Sequence, residues 1–298
     1  MLKVKEITKY YGDLLAVDNL SFEINDGEIF GLLGVNGAGK TTTFRLILGL
    51  IDKNHGEITL DGEKIDYNNI SNIGFLPEER SLLTKMTVLD QVVYYASLKG
   101  MEKDKILKEL DYWLERFNIT EYKDIKIKDL SKGNQQKIQF ICAVIHNPKL
   151  IILDEPFSGL DPINVEMIMS AIRDLKKNGK MIIFSSHRME HVELFCEKLI
   201  ILVHGKSVLS GSINKIKKDY QKKNIHIVGD VNKEDLLNIK GVVDVSKISN
   251  EYIVKIENDS IVENVFKYIK KCENITKFSV EDATLNEIFI DKVGEKYE

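Results

Sequence analysis

The sequence has few cysteines, few prolines and no long apolar run, and each shortage excludes a class of protein. The three cysteines, Cys142, Cys196 and Cys272, are too few and too far apart for a disulfide framework, and they predict reduced thiols in a cytosol. Only 4 prolines leave no proline-rich linker. No run approaches the roughly 18 apolar residues that a membrane-spanning helix needs. We therefore expect a protein that does not itself cross a membrane.

The overall composition is that of a globular protein. Hydrophobic residues make up 43% and charged residues 30% of the 298 residues. At about 150 residues per domain, this length predicts roughly two domains. The formal net charge of −4 disfavours a surface covered in lysine and arginine. We therefore expect no nucleic-acid partner.

Short apolar runs alternate with helical patterns through the first 210 residues. Runs this apolar are typical of strands that are buried on both faces of a sheet. Their alternation with helices predicts an α/β domain with a largely parallel core sheet. The predicted strands are residues 28–33, 73–76, 150–153, 181–184 and 199–203, and the predicted helices are residues 40–50, 88–98, 104–117, 135–145 and 164–177.

The pattern changes near residue 211. Residues 213–224 carry five lysines and one acid, which predicts a solvated helix or connector, with a basic strip at a membrane surface as the alternative. Six elements in the order βαββαβ follow at 225–228, 233–239, 242–248, 252–257, 261–271 and 275–280, and a short helix at 285–293 ends the pattern. We therefore expect a domain over 1–210, a connector over 211–224 and a small ferredoxin-like α+β domain over 225–298.

A phosphate-binding loop stands at residues 34–41, with the sequence GVNGAGKT. It follows a predicted strand and opens a predicted helix, which is the setting that the G-x-x-x-x-G-K-[ST] motif requires. Its glycines let backbone N–H groups turn toward phosphate oxygens, and the helix dipole adds positive potential. In this motif Lys40 reaches the β- and γ-phosphates, and the Thr41 hydroxyl binds Mg²⁺.

A pair of carboxylates, Asp154 and Glu155, ends the apolar run at 150–153. A parallel sheet brings the ends of its strands to one edge, so both lie beside the phosphate loop. In P-loop NTPases an Asp at this place holds Mg²⁺, and the following Glu is placed to polarise the attacking water. A turn with two solvated acids is the alternative, and the phosphate loop favours the catalytic interpretation.

With three further motifs, residues 1–210 resemble the ATP-binding cassette (ABC) ATPase family. Residues 130–137, LSKGNQQK, look like the signature motif, and residues 158–161, SGLD, match the D-loop. Residues 185–187, SSH, match the switch histidine. Tyr11 stands where the family has its adenine-stacking aromatic residue. The order and spacing of these motifs carry the resemblance.

The resemblance implies a P-loop NTPase fold of ABC type with a helical insert at about 78–146. It implies ATP and Mg²⁺ as ligands, and two ATP molecules held between two cassettes that pair head to tail as a homodimer or heterodimer. The implied site residues are Gly34, Val35, Asn36, Gly37, Ala38, Gly39, Lys40, Thr41 and Thr42 on the phosphates, Tyr11 on adenine, Thr41 and Asp154 on Mg²⁺, Glu155 as base, His187 on the γ-phosphate, and Ser131, Gly133 and Asp161 across the dimer interface.

Two departures from the family pattern bear on catalysis. Glu78 takes the place of the family's Q-loop glutamine, where it adds a negative charge and cannot donate a hydrogen bond. We expect Glu78 to contact Mg²⁺ or the attacking water, and we expect slower or more metal-dependent turnover. In the signature, Lys132 and Asn134 replace Gly and Gln, while Ser131 and Gly133 remain.

The chain further resembles the bacterial sodium and antibiotic exporter cassettes of ABC-2 type, through LPEER at 76–80 and SSHRMEHVE at 185–193. This resemblance implies a separate permease of about six spanning helices, each of about 20 residues. It places the chain at the cytoplasmic face of the cell membrane, where it powers export of an ion, drug or lipid-like cargo. The insert, from Glu78 to about Ile127, would dock on the permease, and the C-terminal domain would be dimerising or regulatory.

Two other functions fit parts of the sequence. A soluble ABC ATPase that acts on ribosomes or DNA would share the motifs, but such proteins usually carry two cassettes or long coiled coils. A non-catalytic ATP sensor would follow if Glu78 and Lys132 had damaged hydrolysis. The residues that hydrolysis needs are intact, which favours an active ATPase: Lys40, Asp154, Glu155 and His187.

Overall fold

A computed structural model of the protein describes residues 1–66, 69–186 and 188–297, with side chains described as far as residue 292. The chain forms two compact units, Met1–Ser210 and Gly211–Glu298. In the part of the chain that is described, no helix combines the length and the apolar character needed to span a membrane.

The strands and helices of the first unit alternate along much of its length. The strands are β1 (Leu2–Tyr11), β2 (Leu14–Ile24), β3 (Ile29–Gly34), β4 (His55–Leu60), β5 (Glu63–Lys64), β6 (Ile73–Leu76), β7 (Leu150–Asp154), β8 (Met181–Ser186), β9 (Lys198–Val203) and β10 (Lys206–Ser212). The helices are α1 (Lys40–Ile47), α2 (Val88–Leu98), α3 (Lys103–Arg116), α4 (Lys132–Val144), α5 (Pro162–Lys177) and α6 (Met189–Phe195).

The core sheet of the first unit has the order β10-β9-β3-β8-β7-β6. The pairs β9–β3, β3–β8, β8–β7 and β7–β6 are parallel. Every residue of β3, β7 and β8 is buried, because helices or a second sheet cover both faces. The predicted parallel core is therefore confirmed.

A second sheet, with the order β2-β1-β4-β5, was not among the sequence predictions. Its long strands pair antiparallel, β1 with both β2 and β4. Buried and exposed residues mix along β1 because only one face meets the core. Phe22 of β2 stacks on Phe30 of β3 with ring centroids 4.8 Å apart, which joins the two sheets in one apolar core.

The helical insert is built around α2, α3 and α4. Trp113 and Phe117 pack against Phe140, with ring centroids 5.9 and 5.8 Å from it. These aromatic side chains are buried, so they form the core of the insert. Tyr94, on α2, is 47% exposed and lies outside that core.

Two helix starts differ from the predicted ones because capping residues set them. Helix α4 begins at Lys132, since the Ser131 hydroxyl accepts a hydrogen bond from the N–H of Asn134. Helix α5 begins at Pro162, since the Asp161 carboxylate caps it. Both helices therefore begin two or three residues before the periodic apolar pattern does.

The second unit contains the predicted βαββαβ order. Its elements are α7 (Ile213–Asp219), β11 (Lys223–Val228), α8 (Lys233–Leu237), β12 (Val242–Ile248), β13 (Glu251–Ile256), α9 (Val262–Ile269), β14 (Lys277–Asp282) and α10 (Leu285–Tyr297). The sheet order is β12-β13-β11-β14, with antiparallel neighbours. Helix α7 forms where the sequence predicted a helix or connector, and it buries Ile213 and Ile216.

Candidate functional site

The loop between β3 and α1 turns back on itself through glycines. Gly37 and Gly39 have φ values of +79° and +104°, which side-chain-bearing residues rarely adopt. A Cβ atom on Gly39 would also lie 2.6 Å from the carbonyl oxygen of Ala16. Glycine is therefore required at position 39 by both backbone conformation and space.

Lys40 is buried with its ammonium folded back on this loop. Its Nζ donates hydrogen bonds to the carbonyl oxygens of Gly34, at 2.7 Å, and Val35, at 3.3 Å. Both acceptors are neutral, so the ammonium keeps its positive charge at the loop, where it also acts on the Asp154 carboxylate. A phosphate group bound at the loop would accept a charge-assisted hydrogen bond from the same ammonium.

Asp154 and Glu155 are held by one serine on the neighbouring strand. Ser185 of β8 donates a 2.6 Å hydrogen bond to Oδ1 of Asp154, and it accepts a 3.0 Å hydrogen bond from the N–H of Glu155. The Thr41 hydroxyl lies 3.4 Å from the other Asp154 oxygen, Oδ2. The phosphate loop and the carboxylate pair are therefore in direct contact.

The electrostatics around Asp154 favour a cation. Burial raises the pKa of Asp154, and the negative charge of Glu78 raises it further. The hydrogen bond from Ser185 and the charge of Lys40 lower the pKa but do not offset the burial. Carboxylate and hydroxyl oxygens are the ligands that Mg²⁺ prefers, so Thr41 and Asp154 fit this ion.

A cleft of about 490 Å³ brings most of the predicted site residues together. The phosphate loop and the start of α1, residues 36–42, line it together with Glu78 and Glu155. Tyr11 lines it beside the apolar stretch 14–16. Gly34 and Val35 are outside the described lining and act through their carbonyl oxygens on Lys40.

His204 also lines this cleft, and the sequence did not single it out. Its turn is fixed to the phosphate loop, because the N–H of Gly205 donates to the carbonyl of Ala38 at 3.0 Å. Ser185 was missed as well, although it belongs to the SSH motif that drew attention to His187. The sequence did offer a signal for Ser185, because this serine directly follows the predicted strand that comes after the strand leading to Asp154.

Ser131, Gly133 and Asp161 lie outside the described lining of the cleft and form a separate group. Asn164 lies beside two of them, Asp161 and Gly133, and its N–H donates to Asp161 at 3.0 Å. A Cβ atom on Gly133 would lie 3.0 Å from the Asn164 side-chain nitrogen. The predicted switch residue His187 lies outside the described residues.

Comparisons with known proteins decide the family. The family model described as ABC transporter matches residues 17–158. The chain is 50% identical over 298 residues to the ABC transporter ATP-binding protein YhaQ of Bacillus subtilis (strain 168), and the match covers 100% of both chains. The chain belongs to the ABC transporter ATP-binding protein family. The predicted family and the predicted function as the ATP-binding subunit of an ABC transporter are confirmed.

A second curated relative is an ATP-binding protein of an export system. The chain is 34% identical over 233 residues to the lipopolysaccharide export system ATP-binding protein LptB of Haemophilus influenzae, and this match covers 76% of the chain and 97% of LptB. The second unit matches, over residues 211–293, the model described as ATP-binding protein DrrA1-3-like, C-terminal domain.

A solved ABC cassette confirms the predicted fold class. The dimeric structure of MJ0796, a bacterial ABC transporter cassette, has a TM-score of 0.65 at 27% identity and covers 72% of this chain and 99% of that one. A dimeric post-hydrolysis state of MJ0796 bound to ADP and Pi has the same TM-score at 26% identity, with the same coverage of both chains.

Proposed function

We propose that this ABC protein hydrolyses ATP with Mg²⁺ and so powers export through a separate membrane permease. The observation that carries the proposal is the cleft in which Lys40, Glu78 and Glu155 meet. A basic side chain on a phosphate loop faces carboxylates there, as phosphoryl transfer to water requires.

Each group in the cleft has a role in hydrolysis that follows from its chemistry. Lys40 and the loop N–H groups neutralise charge on the transferred phosphoryl group. Glu155 accepts a proton from the attacking water, and Ser185 fixes its backbone. Thr41 and Asp154, with Glu78 nearby, would hold Mg²⁺, which supplies further charge neutralisation. Tyr11 would stack on the adenine, and His187 would contact the γ-phosphate.

The proposed working unit is a head-to-tail dimer of cassettes. The separation of Ser131, Gly133 and Asp161 from the cleft supports it, because these residues would then complete the site of the partner cassette. The similarity to the dimeric MJ0796 cassette supports it further. ATP would bridge the two subunits, and hydrolysis would release them.

The export and permease proposals have two kinds of support. Relatives include ATP-binding proteins of lipopolysaccharide and Nod factor export systems. On the insert, Tyr94 and Leu98 lie one turn apart on α2 and are 47% and 69% exposed. An exposed apolar pair on this helix fits a permease segment, and it would hold the protein at the cytoplasmic face of the membrane.

The experiment is a tagged pull-down from detergent-solubilised native membranes, combined with Mg²⁺-dependent ATPase assays of the captured complex. We expect a polytopic protein of about six spanning helices, each of about 20 apolar residues, and ATPase activity that Lys40→Ala abolishes. A double variant, Tyr94→Ser with Leu98→Ser, should lose the permease and keep basal ATP binding. Recovery of ribosomal or other soluble proteins alone would contradict the export proposal. The ATPase assay tests the hydrolysis proposal separately from the pull-down.

A further inference from the structure

Helix α4 carries a buried glutamine whose side chain reaches the loop that holds Glu78. Gln139 is only 3% exposed. Its Nε2 donates to the carbonyl oxygen of Pro77 at 2.9 Å and to that of Glu79 at 3.2 Å. Pro77 and Glu79 are the residues directly before and after Glu78. The side-chain amide of Gln139 therefore donates to both chain neighbours of Glu78.

The orientation of the Gln139 amide follows from its partners. Both neighbours are carbonyl oxygens, so only the nitrogen can face them. Within the part of the chain that the structure describes, the Oε1 atom is buried without a hydrogen-bond donor. A buried amide with an unpaired oxygen is unfavourable by itself, and an apolar side chain of similar shape would avoid that cost.

Glu78 is the residue whose position these hydrogen bonds control. Its side chain lines the nucleotide cleft beside the phosphate loop and Glu155. Its charge acts on Asp154, the residue that fits Mg²⁺. Because the peptide groups before and after Glu78 are both held, its Cα atom has little freedom to move relative to α4.

Helix α4 also contacts the loop that follows Glu155. Gln136, which is also 3% exposed, donates to the carbonyl oxygen of Pro156 at 3.0 Å, directly after Glu155. The N-terminus of α4 is capped by Ser131. One rigid helix therefore connects the Ser131 end with both carboxylates of the cleft.

We infer that Gln139 is a positioning residue: its side-chain amide holds the two carbonyls that flank Glu78 and so sets where the Glu78 carboxylate stands in the nucleotide cleft. The inference rests on the proposed function, since the position of Glu78 matters only if a metal-bound nucleotide occupies the cleft. The inference adds Gln139, on the helix α4 that begins within the signature motif, to the residues that determine how strongly nucleotide binding depends on Mg²⁺.

The test uses Gln139→Met, which keeps the length of the side chain and removes both donors. The measurement is equilibrium binding of a non-hydrolysable ATP analogue, at protein concentrations where the chain is monomeric, as a function of Mg²⁺ concentration. Both Gln139→Met and Glu78→Gln should raise the half-saturating Mg²⁺ concentration by about threefold to tenfold, the effect of about 0.7–1.4 kcal/mol. The double variant should show no more than the larger single effect, because both substitutions remove the same contribution.

Gln135 offers a matched control on the same helix. Its Nε2 donates to the carbonyls of Ile127, at 3.0 Å, and Leu130, at 3.2 Å, and neither acceptor lines the described part of the cleft. Gln135→Met likewise removes two side-chain donors from backbone carbonyls, and it should leave the half-saturating Mg²⁺ concentration unchanged. If Gln139→Met fails to fold, Gln139→Leu replaces it, because leucine also removes both donors and adds no charge near the cleft.

Three outcomes overturn the inference. They are an unchanged Mg²⁺ midpoint in Gln139→Met, an unchanged midpoint in Glu78→Gln, and effects of the two substitutions that multiply in the double variant. Wild-type protein that binds the analogue without any dependence on Mg²⁺ would contradict the proposed function itself. Hydrogen exchange of residues 76–84 gives a second readout without turnover, and it should become faster in Gln139→Met and stay unchanged in Gln135→Met.

Discussion

Ser185 stands directly beside Asp154 on the neighbouring strand and donates a 2.6 Å hydrogen bond to its carboxylate. The same hydroxyl accepts a hydrogen bond from the backbone N–H of Glu155. One side chain therefore contacts both acidic residues of the candidate site. Both acidic residues are buried, and burial disfavours the ionised form of Asp154 more than Ser185, Thr41 and the charge of Lys40 favour it. The nucleotide-free site therefore carries an electrostatic cost that a bound cation would relieve.

Asp154→Asn should stabilise the nucleotide-free protein at neutral pH. The pKa of Asp154 is raised above its ordinary value of 3.8, chiefly by burial, so the folded chain binds this proton more readily than the unfolded chain. The ionised carboxylate then costs stability at neutral pH, and the cost disappears as the pH falls through the raised pKa to 3.8.

Urea unfolding as a function of pH measures this effect. We expect Asp154→Asn to gain roughly 1 kcal/mol at pH 7, the usual scale of a single substitution. The gain should shrink on acidification. A variant less stable than wild type at pH 7, or a gain that grows toward low pH, would contradict this account of Asp154.

His146→Gln should make the cassette less sensitive to acid. Burial first, and then the charge of Lys99, lower the pKa of His146 from 6.5 to about 4. The unfolded chain therefore takes up this proton at a higher pH than the folded chain, and stability is lost as the pH falls from 6.5 to about 4. Glutamine can still donate to the carbonyl of Ile73, which His146 contacts at 3.3 Å, and it does not titrate.

Thermal unfolding of wild type and His146→Gln between pH 7 and pH 4 checks this prediction. The difference between the two proteins should grow through that range to a few kcal/mol at most. His55→Gln, at an exposed histidine, is the matched control and should follow wild type. Parallel pH profiles for wild type and His146→Gln would show that His146 does not set the acid sensitivity.

Gly133→Ala should prevent dimer formation without preventing ATP binding. A Cβ atom there would lie 3.0 Å from the side-chain nitrogen of Asn164, which also hydrogen-bonds Asp161. Asn164 must then shift, and the Asp161 cap that Asn164 contacts shifts with it. Alanine is otherwise favoured over glycine by about 1 kcal/mol in a helix, so the monomer should remain folded.

Sedimentation of Gly133→Ala with ATP and Mg²⁺ gives the result directly, in the Glu155→Gln background that removes turnover. We expect at least a tenfold weaker dimer, a loss of about 1.4 kcal/mol, and unchanged nucleotide affinity of the monomer. A dimer as stable as that of Glu155→Gln alone would show that Gly133 is not needed at the interface.

The sequence predicted the parts of the fold whose signals are local. The first four residues of β6, β7 and β8 are apolar or glycine because these strands lie in the buried core sheet, and the positions of the three strands were predicted to within two residues. Strands β1 and β2 were missed because they bury one face only and mix charged residues with apolar ones. The βαββαβ order of the second unit was predicted because each of its short elements keeps a clear period.

Residues of the candidate site could be predicted where a sequence motif names them, but not where their role depends on contacts between distant parts of the chain. Lys40, Glu78, Glu155 and Tyr11 were chosen from motifs, and the cleft brings them together. Gln139 was not, because a glutamine in a helix looks like a surface residue until the helix is packed. Its role depends on the carbonyls of a loop about 60 residues earlier in the chain, which no local pattern reveals.

The most direct test of the account is the association state of Glu155→Gln in analytical ultracentrifugation. If Glu155 is the base in a site shared between two cassettes, this variant binds ATP without hydrolysing it and sediments as a dimer with ATP and Mg²⁺, but as a monomer with ADP. Adding Lys40→Ala or Ser131→Ala should return it to the monomer. A Glu155→Gln protein that hydrolyses ATP at the wild-type rate and stays monomeric would contradict the account.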